Sequence, residues 1–202
     1  MQFSSPPYWN SGSLEVICGS MFSGKTEELI QRIERARIAK WPTQVFKPSL
    51  DTRGRKEAVN SHSERHIAAT PLATSIHVLD HLHDTTRIVA FDEAQFFDSG
   101  IVDVCQRLAN RGLRVIIAGL DLDYRGQPFG PMPHLMALAE SVTKMNAICT
   151  KCGRLASRTQ RLAQESGQIS SEQVLVGAEA LYEARCRFCF EAPPKPTDES
   201  TP

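Results

Sequence analysis

The stretch GSMFSGKT, residues 19–26, has the form GxxxxGK[ST] and stands between the apolar run LEVIC (14–18) and the helix-like TEELIQRIERARI (26–38). A strand, this loop and a helix together form an anion site, because the backbone N–H groups of the loop and of the helix N-terminus converge there. Lys25 can reach the β- and γ-phosphates of a nucleotide, and the Thr26 hydroxyl can ligate Mg²⁺. The motif therefore predicts a nucleotide-binding loop, and the flanking strand and helix disfavour an ordinary Gly/Ser turn.

Short apolar runs bounded by turn residues recur along the chain and alternate with amphipathic helix-like segments. The predicted strands are LEVIC, QVFKP (44–48), RIVAF (87–91) and RVIIAG (114–119), and helices are predicted over 26–39 and 101–109. This alternation predicts an α/β fold with a mainly parallel, buried sheet. After about residue 148 the sequence is polar and Arg-rich, which indicates a small second unit, and the proline-rich end (191–202) predicts a disordered tail.

Length and charge limit the possible functions. The 202 residues, 41% of them hydrophobic, suffice for one substantial domain plus a small appendage. Lys plus Arg and Asp plus Glu each number 23, so the zero net charge provides no global attraction to nucleic acid or anionic lipid. Residues 1–13 have no signal-peptide pattern and predict a flexible N-terminus, and no apolar run approaches the ~18 residues of a membrane span. We expect a cytoplasmic protein with no nucleic-acid or membrane partner.

A second acidic element follows one of the predicted strands. In RIVAFDEAQFF (87–97), Asp92 and Glu93 come directly after a buried strand, at the edge where α/β folds bind ligands. Asp92 can hold the Mg²⁺ that bridges the phosphates, and Glu93 is then available as a base for the attacking group. A solvated acidic pair is the alternative, and the upstream loop makes it less favoured.

Two classes of function fit this pair of motifs. Glu93 could activate water, as in an ATPase motor or switch, or a substrate hydroxyl, as in a small-molecule kinase. The DEAQ sequence (92–95) invites comparison with DEAx-box helicases. Such motors generally need two domains or a ring of subunits, and this chain has room for one domain and no basic excess.

Four of the six cysteines form two CxxC pairs, and these could close one tetrahedral Zn²⁺ site. The proposed metal ligands are Cys149, Cys152, Cys186 and Cys189. Four thiolates leave no open coordination position, so the metal is expected to be structural. A redox role is the alternative, but neither pair has a thioredoxin-like setting. The other two, Cys18 and Cys105, are expected to be buried apolar residues.

Taken together, these motifs resemble the type II thymidine kinase family, the cellular, zinc-containing kind, in order over about residues 14–190. The matching segments are GSMFSGKT, DTR (51–53), FDEAQFF (91–97), GLDLDYRGQPFG (119–130), AESV (139–142), CTKC (149–152) and CRFC (186–189). The resemblance implies a RecA-like P-loop domain over 14–148 and a zinc-binding domain with a substrate lasso over 149–190. It implies transfer of the ATP γ-phosphate to the 5′-hydroxyl of thymidine, and also of deoxyuridine. It further implies feedback inhibition by dTTP and a homotetramer.

The resemblance also assigns residues to the ATP site and makes Glu93 the general base. The residues expected around ATP and Mg²⁺ are Gly19, Ser20, Met21, Phe22, Ser23, Gly24, Lys25, Thr26, Asp51, Thr52, Arg53, Asp92, Glu93, Ala94 and Gln95. Among these, Arg53 is a candidate for stabilising charge on the transferred group. Without the resemblance, the segment around it would be an unremarkable polar loop.

The thymidine site is expected from an apolar pocket and the lasso. The corresponding residues are Met21, Phe96, Leu120, Tyr124, Phe129, Gln173, Val174, Leu175, Val176, Gly177 and Tyr182. From the residues alone, the apolar members would be ordinary core. The departures from the family pattern, at Ser20, Leu122 and Tyr124, do not touch the proposed chemistry. One alternative stays open, an ATPase that binds nucleic acid through the Arg-rich stretch 154–161.

Overall fold

The computed structural model describes residues 12–49, 58–60, 66–162 and 181–193 of the chain. A six-stranded sheet forms its centre, with the strand order β5-β2-β6-β7-β1-β8 and every neighbouring pair parallel. These strands are β1 (Ser13–Gly19), β2 (Thr43–Pro48), β5 (Thr70–Leu72), β6 (Ile88–Phe91), β7 (Arg114–Gly119) and β8 (Ser141–Met145). The predicted α/β class with a mainly parallel sheet is therefore confirmed.

Helices cover both faces of the sheet. They are α1 (Lys25–Ile38), α2 (Val78–His81), α3 (Ile101–Asn110) and α4 (Met132–Leu138), and short 3₁₀ turns occupy Ser75–His77 and Ala94–Phe96. On β1, Leu14, Val16 and Cys18 face the core shared with α3, while Ile17 faces the core shared with α1. Because side chains alternate along a strand, covering both faces requires the continuous apolar runs seen in the sequence. The predicted strands and helices agree with the observed ones to within one or two residues.

The remaining strands are short and antiparallel. They are β3 (Ala58–Asn60) with β4 (His66–Ala68), β9 (Ala147–Ile148) with β10 (Leu155–Ala156), and β11 (Arg158–Arg161) with β12 (Tyr182–Arg185). Strands β9 to β12 surround a small core that contains cysteines from both CxxC pairs. Strands of two to four residues carry no detectable periodicity, and they were not predicted from the sequence.

A network of ion pairs and hydrogen bonds connects four elements at the start of β1. Glu15 on β1 accepts hydrogen bonds from Arg114 on β7, at 2.6 and 2.9 Å, and from Arg32 on α1, at 2.9 Å. Arg32 also donates to Glu28 within α1 and to Thr143 on β8. Burial opposes ionisation of Glu15, but the two guanidinium groups outweigh it and lower the pKa of Glu15.

Cys18 and Cys105 are buried, as expected. Burial raises the pKa of both thiols, that of Cys18 to about 11, which makes them unreactive at neutral pH. Among the helices in the described part of the chain, we find none with the length and apolar character needed to cross a membrane.

Candidate active site

The candidate site lies at the carboxyl edge of the sheet, where three neighbouring strands end. The GSMFSGKT loop follows β1, Asp92 and Glu93 follow β6, and Leu120 follows β7, which lies between the other two. Since all three strands are parallel, their ends meet at one edge. The fold therefore brings the two sequence motifs to the same side of the molecule.

The loop needs glycine at its first position. Gly19 has φ 148°, and a Cβ added there would lie 2.3 Å from the carbonyl oxygen of Met145 on β8. Within the loop, the Ser23 hydroxyl and the Lys25 ammonium each donate to the carbonyl oxygen of Ser20, both at 2.8 Å. Lys25 thus lies across the loop, and its flexible stem can turn the ammonium toward a bound phosphate.

Helix α1 begins directly after the loop. Gly24 precedes it with φ 82°, and no side chain among the described residues caps this helix end. The first N–H groups of a helix have no partner within the helix, and together with the helix dipole they favour an anion. This arrangement fits the predicted phosphate site, in which Lys25 and Thr26 stand on the first turn.

The acidic pair is held by the backbone and by one side chain. Asp92 is 7% exposed, and its carboxylate accepts a hydrogen bond from the Glu93 N–H at 3.0 Å. Glu93 has φ 51°, in the left-handed region. The Gln95 side-chain amide donates from Nε2 to Glu93 Oε2 at 2.5 Å, and its Oε1 accepts from the Leu120 N–H at 3.0 Å. The short 3₁₀ turn after Glu93 is thereby joined to the end of β7.

The described apolar residues expected around thymidine lie in one cluster beside this acidic pair. Phe96 packs edge-on against Phe129, with ring centroids 5.7 Å apart. The Tyr124 ring has two guanidinium groups close to it, those of Arg125 and Arg161, at 5.2 and 5.1 Å from its centroid. We refer to this set as the apolar cluster, and its members are Met21, Phe96, Leu120, Tyr124, Phe129, Leu181 and Tyr182.

Strands β9 to β12, which we call the small unit, contact the phosphate loop directly. The Met21 N–H donates to the Thr159 hydroxyl on β11 at 3.1 Å, and the Ser20 hydroxyl donates to the Ala156 carbonyl at 3.4 Å. Thr159 is 3% exposed. Arg161, on the same strand, lies against Tyr124. Part of the Arg-rich stretch 154–161 thus packs on the candidate site.

The four cysteines of the CxxC pairs converge, with all Sγ atoms within 4.8 Å of one another. Backbone hydrogen bonds close both knuckles, from Gly153 N to the Cys149 carbonyl and from Phe190 N to the Cys186 carbonyl. Burial opposes ionisation of Cys149, but backbone N–H groups lower its pKa and also that of Cys186, whereas burial and the neighbouring sulfurs raise the pKa of Cys189. A thiolate is the form that binds metal, and four sulfurs at this spacing fit a Cys₄ zinc site.

Some predicted residues lie outside the described part of the chain. They are Asp51, Thr52 and Arg53 of the short polar segment and Gln173, Val174, Leu175, Val176 and Gly177 of the lasso. All the other residues expected in the site lie in the phosphate loop, the 92–96 segment, the apolar cluster or the cysteine cluster.

Three residues near the site were not predicted from the sequence. Lys47 is only 1% exposed, and it follows Phe46, which pairs with Phe91, the residue before Asp92. Asp121 follows β7, and its carboxylate pairs with Lys144 on β8 at 2.7 Å. Asp121 carried the same signal as Asp92, an acidic residue just after a buried strand. Lys47 was marked by a positive charge within an apolar run, whereas Thr159 had no signal.

The chain is similar to known proteins over most of its length. The family model described as thymidine kinase matches residues 12–190. A thymidine kinase of Bacteroides thetaiotaomicron is 52% identical over 179 residues, covering 89% of this chain and 87% of the relative. A thymidine kinase of Rhodothermus sp. is 53% identical over 190 residues, covering 94% of this chain and 86% of the relative. The chain belongs to the thymidine kinase family.

Proposed function

We propose that this protein transfers the γ-phosphoryl group of ATP to the 5′-hydroxyl of thymidine, giving dTMP and ADP. The observation that carries the proposal is the apolar cluster at the carboxyl edge of the sheet. It joins Met21 of the phosphate loop to Phe96, three residues after Glu93, and to Tyr182 of the small unit. A flat, uncharged base fits an apolar and aromatic surface of this kind, and family membership over residues 12–190 supports the same substrate.

The phosphate loop is the proposed ATP site. Its backbone N–H groups and the start of α1 would bind the phosphates, with Lys25 contributing a positive charge. Thr26 and Asp92 have the hydroxyl and carboxylate oxygens that Mg²⁺ prefers, and Asp92 stands at the end of β6. Bound Mg²⁺ would neutralise charge on the phosphates. Asp51, Thr52 and Arg53 stay proposed members of this site on the family resemblance.

Glu93 is the proposed general base. Its carboxylate would take the proton of the thymidine 5′-hydroxyl as that oxygen forms a bond to the γ-phosphorus. The bond from the γ-phosphorus to the ADP oxygen would break in the same step. Two features support this role: Glu93 neighbours the proposed Mg²⁺ ligand Asp92, and the apolar cluster includes Phe96, close by in the chain. The acceptor at this point would be a sugar hydroxyl and not water, because the apolar cluster can exclude water from the acceptor site.

The small unit is proposed to close the thymidine site and to be held by zinc. Tyr182 contributes to the apolar cluster, and the lasso residues 173–177 would bind the base mainly through backbone groups. Cys149, Cys152, Cys186 and Cys189 would hold Zn²⁺ as a structural ion. We propose domain limits of 14–148 and 149–190, with 1–13 and 191–202 as flanking segments.

The family resemblance supports three further proposals: deoxyuridine as a second acceptor, dTTP as an inhibitor and a homotetramer. We also propose a cytoplasmic location. All six cysteines are free of disulfides, which fits a reducing compartment. Light scattering of the purified protein would test the tetramer, and inhibition of turnover by added dTTP would test the feedback.

A panel of acceptors tests the main proposal. ATP turnover is measured with thymidine, with single-stranded DNA, with RNA and with no acceptor. We expect turnover only with thymidine, accompanied by dTMP. Turnover stimulated by a polynucleotide, without dTMP formation, would instead support the ATPase hypothesis based on residues 154–161 and would refute the kinase.

A further inference from the structure

The Gln95 side chain links the proposed base to the neighbouring strand. Its amide donates to Glu93 Oε2 at 2.5 Å, and its carbonyl oxygen accepts from the Leu120 N–H at 3.0 Å. Gln95 is 3% exposed. One buried side chain therefore connects the Glu93 carboxylate to the backbone just after β7.

The surrounding backbone fits closely around Gln95. A Cβ added at Gly119 would lie 2.9 Å from Gln95 Oε1, and one added at Gly130 would lie 2.5 Å from the backbone carbonyl oxygen of Gln95. Gly130 also has φ 49°, a conformation that favours glycine. Glycine thus lets the backbone approach the side-chain oxygen of Gln95 at Gly119 and the backbone carbonyl of Gln95 at Gly130.

The backbone alone does not fix the orientation of the Glu93 carboxylate. The Glu93 backbone has φ 51°, which is uncommon for a residue with a side chain, and its N–H is bonded to the Asp92 carboxylate at 3.0 Å. The backbone of Glu93 is thus fixed, but a glutamate carboxylate can still rotate about its side-chain torsions. The hydrogen bond from Gln95 to Oε2 is a restraint on these torsions.

We propose that Gln95 is a positioning residue, which orients the Glu93 carboxylate toward the acceptor hydroxyl. The proposal rests on the proposed function, and it differs from the expectation that Gln95 contacts ATP. Proton transfer requires the base within hydrogen-bonding distance of the hydroxyl. A displacement of about 1 Å can slow a reaction by about 10²-fold. Loss of the hydrogen bond from Gln95 to the Glu93 carboxylate should therefore lower kcat and leave substrate binding nearly unchanged.

Two substitutions separate the two hydrogen bonds of Gln95. Gln95→Met keeps the approximate size of the side chain and removes both hydrogen bonds. Gln95→Glu keeps an oxygen for the Leu120 N–H and, when ionised, replaces the hydrogen-bond donor to Glu93 with a like charge that repels it. We expect kcat for dTMP formation to fall by about 10- to 100-fold in both variants, with KM for ATP and thymidine changed by less than about 3-fold. Gln31→Met, on the exposed face of α1, is the matched control and should retain wild-type kcat.

A double-mutant cycle with Glu93→Gln tests whether Gln95 acts through Glu93. In the Glu93→Gln background, Gln95→Met and Gln95→Glu should each change kcat by less than about 2-fold, because the base they orient is absent. A fall in kcat as large as in the wild-type background would overturn the positioning role. A raised KM for ATP with unchanged kcat would also overturn it and would indicate a contact with ATP.

The same experiment separates this inference from the proposed function. Wild-type protein that forms no dTMP would overturn both. Active wild-type protein with additive effects in the cycle would overturn only the role of Gln95. Thermal unfolding of each variant, measured alongside, shows whether the protein is folded, and Gln95→Glu keeps the test valid if Gln95→Met does not fold.

Discussion

Replacing Glu15 by glutamine should destabilise the protein in a pH-dependent manner. Glu15 lies on β1, the strand that leads into the phosphate loop, and it accepts two hydrogen bonds from Arg114 and one from Arg32. The three side chains are only 13–25% exposed. Glutamine is nearly the same size as glutamate, so the substitution removes the charge while packing is retained.

The expected loss follows from these contacts. A hydrogen bond to a charged group contributes about 1.5–3 kcal/mol, but partial exposure screens the charges and glutamine keeps one acceptor oxygen. We therefore expect Glu15→Gln to lower the free energy of unfolding by about 2–3 kcal/mol at pH 7. For a chain of this size, that corresponds to a fall in Tm of roughly 4–12 °C.

The pH dependence has a definite sign. The pKa of Glu15 is lowered in the folded protein, so its contribution to stability is present above the unfolded pKa of about 4.3 and is lost as pH falls through the folded pKa. Below that pH, Glu15 is protonated and as neutral as glutamine. The difference in Tm between wild type and variant should therefore shrink toward zero on acidification.

Thermal unfolding of wild type and Glu15→Gln between pH 7 and pH 3 provides the measurement. Asp84→Asn removes an exposed carboxylate and serves as the control, with an expected change of about 0.5 kcal/mol or less. Equal Tm values for wild type and Glu15→Gln at pH 7 would refute the contribution of the network. A difference that persists unchanged to pH 3 would refute its assignment to the Glu15 charge.

Three other substitutions test the site. Glu93→Gln should lower kcat by about 10²- to 10⁴-fold with ATP binding nearly intact, and a wild-type rate in a steady-state assay would exclude Glu93 as the base. Cys186→Ser should release bound zinc and unfold the small unit, as checked by metal analysis and circular dichroism, whereas Cys105→Ala should retain the metal. Gly19→Ala should abolish ATP binding in calorimetry, because its Cβ would lie 2.3 Å from the Met145 carbonyl oxygen; binding at wild-type affinity would contradict this.

The sequence predicted the elements that have strong local signals. Strands β1 and β7 are buried on both faces and therefore appear as continuous apolar runs, and α1 carries an apolar stripe at Leu29, Ile30 and Ile33. The phosphate loop and the acidic pair were predictable for a different reason. Their chemistry requires particular residue types at fixed positions after a strand.

The remaining features depend on contacts between distant parts of the chain. Thr159 bonds to Met21 across 138 residues, and no local pattern marks either residue for the other. Gln95 was expected in the site, but its bond to Leu120 depends on β6 and β7 being neighbours. Sequence periodicity indicates which residues are buried, whereas strand order and register decide which of them meet.

The central claim is that the γ-phosphate of ATP goes to a sugar hydroxyl and not to water. A single-turnover experiment with γ-labelled ATP, excess enzyme and thymidine tests it most directly, because it follows the labelled phosphate itself. We predict that the label appears in dTMP, one per ATP consumed, with little in inorganic phosphate. Label released as inorganic phosphate at the same rate with and without thymidine would contradict the claim.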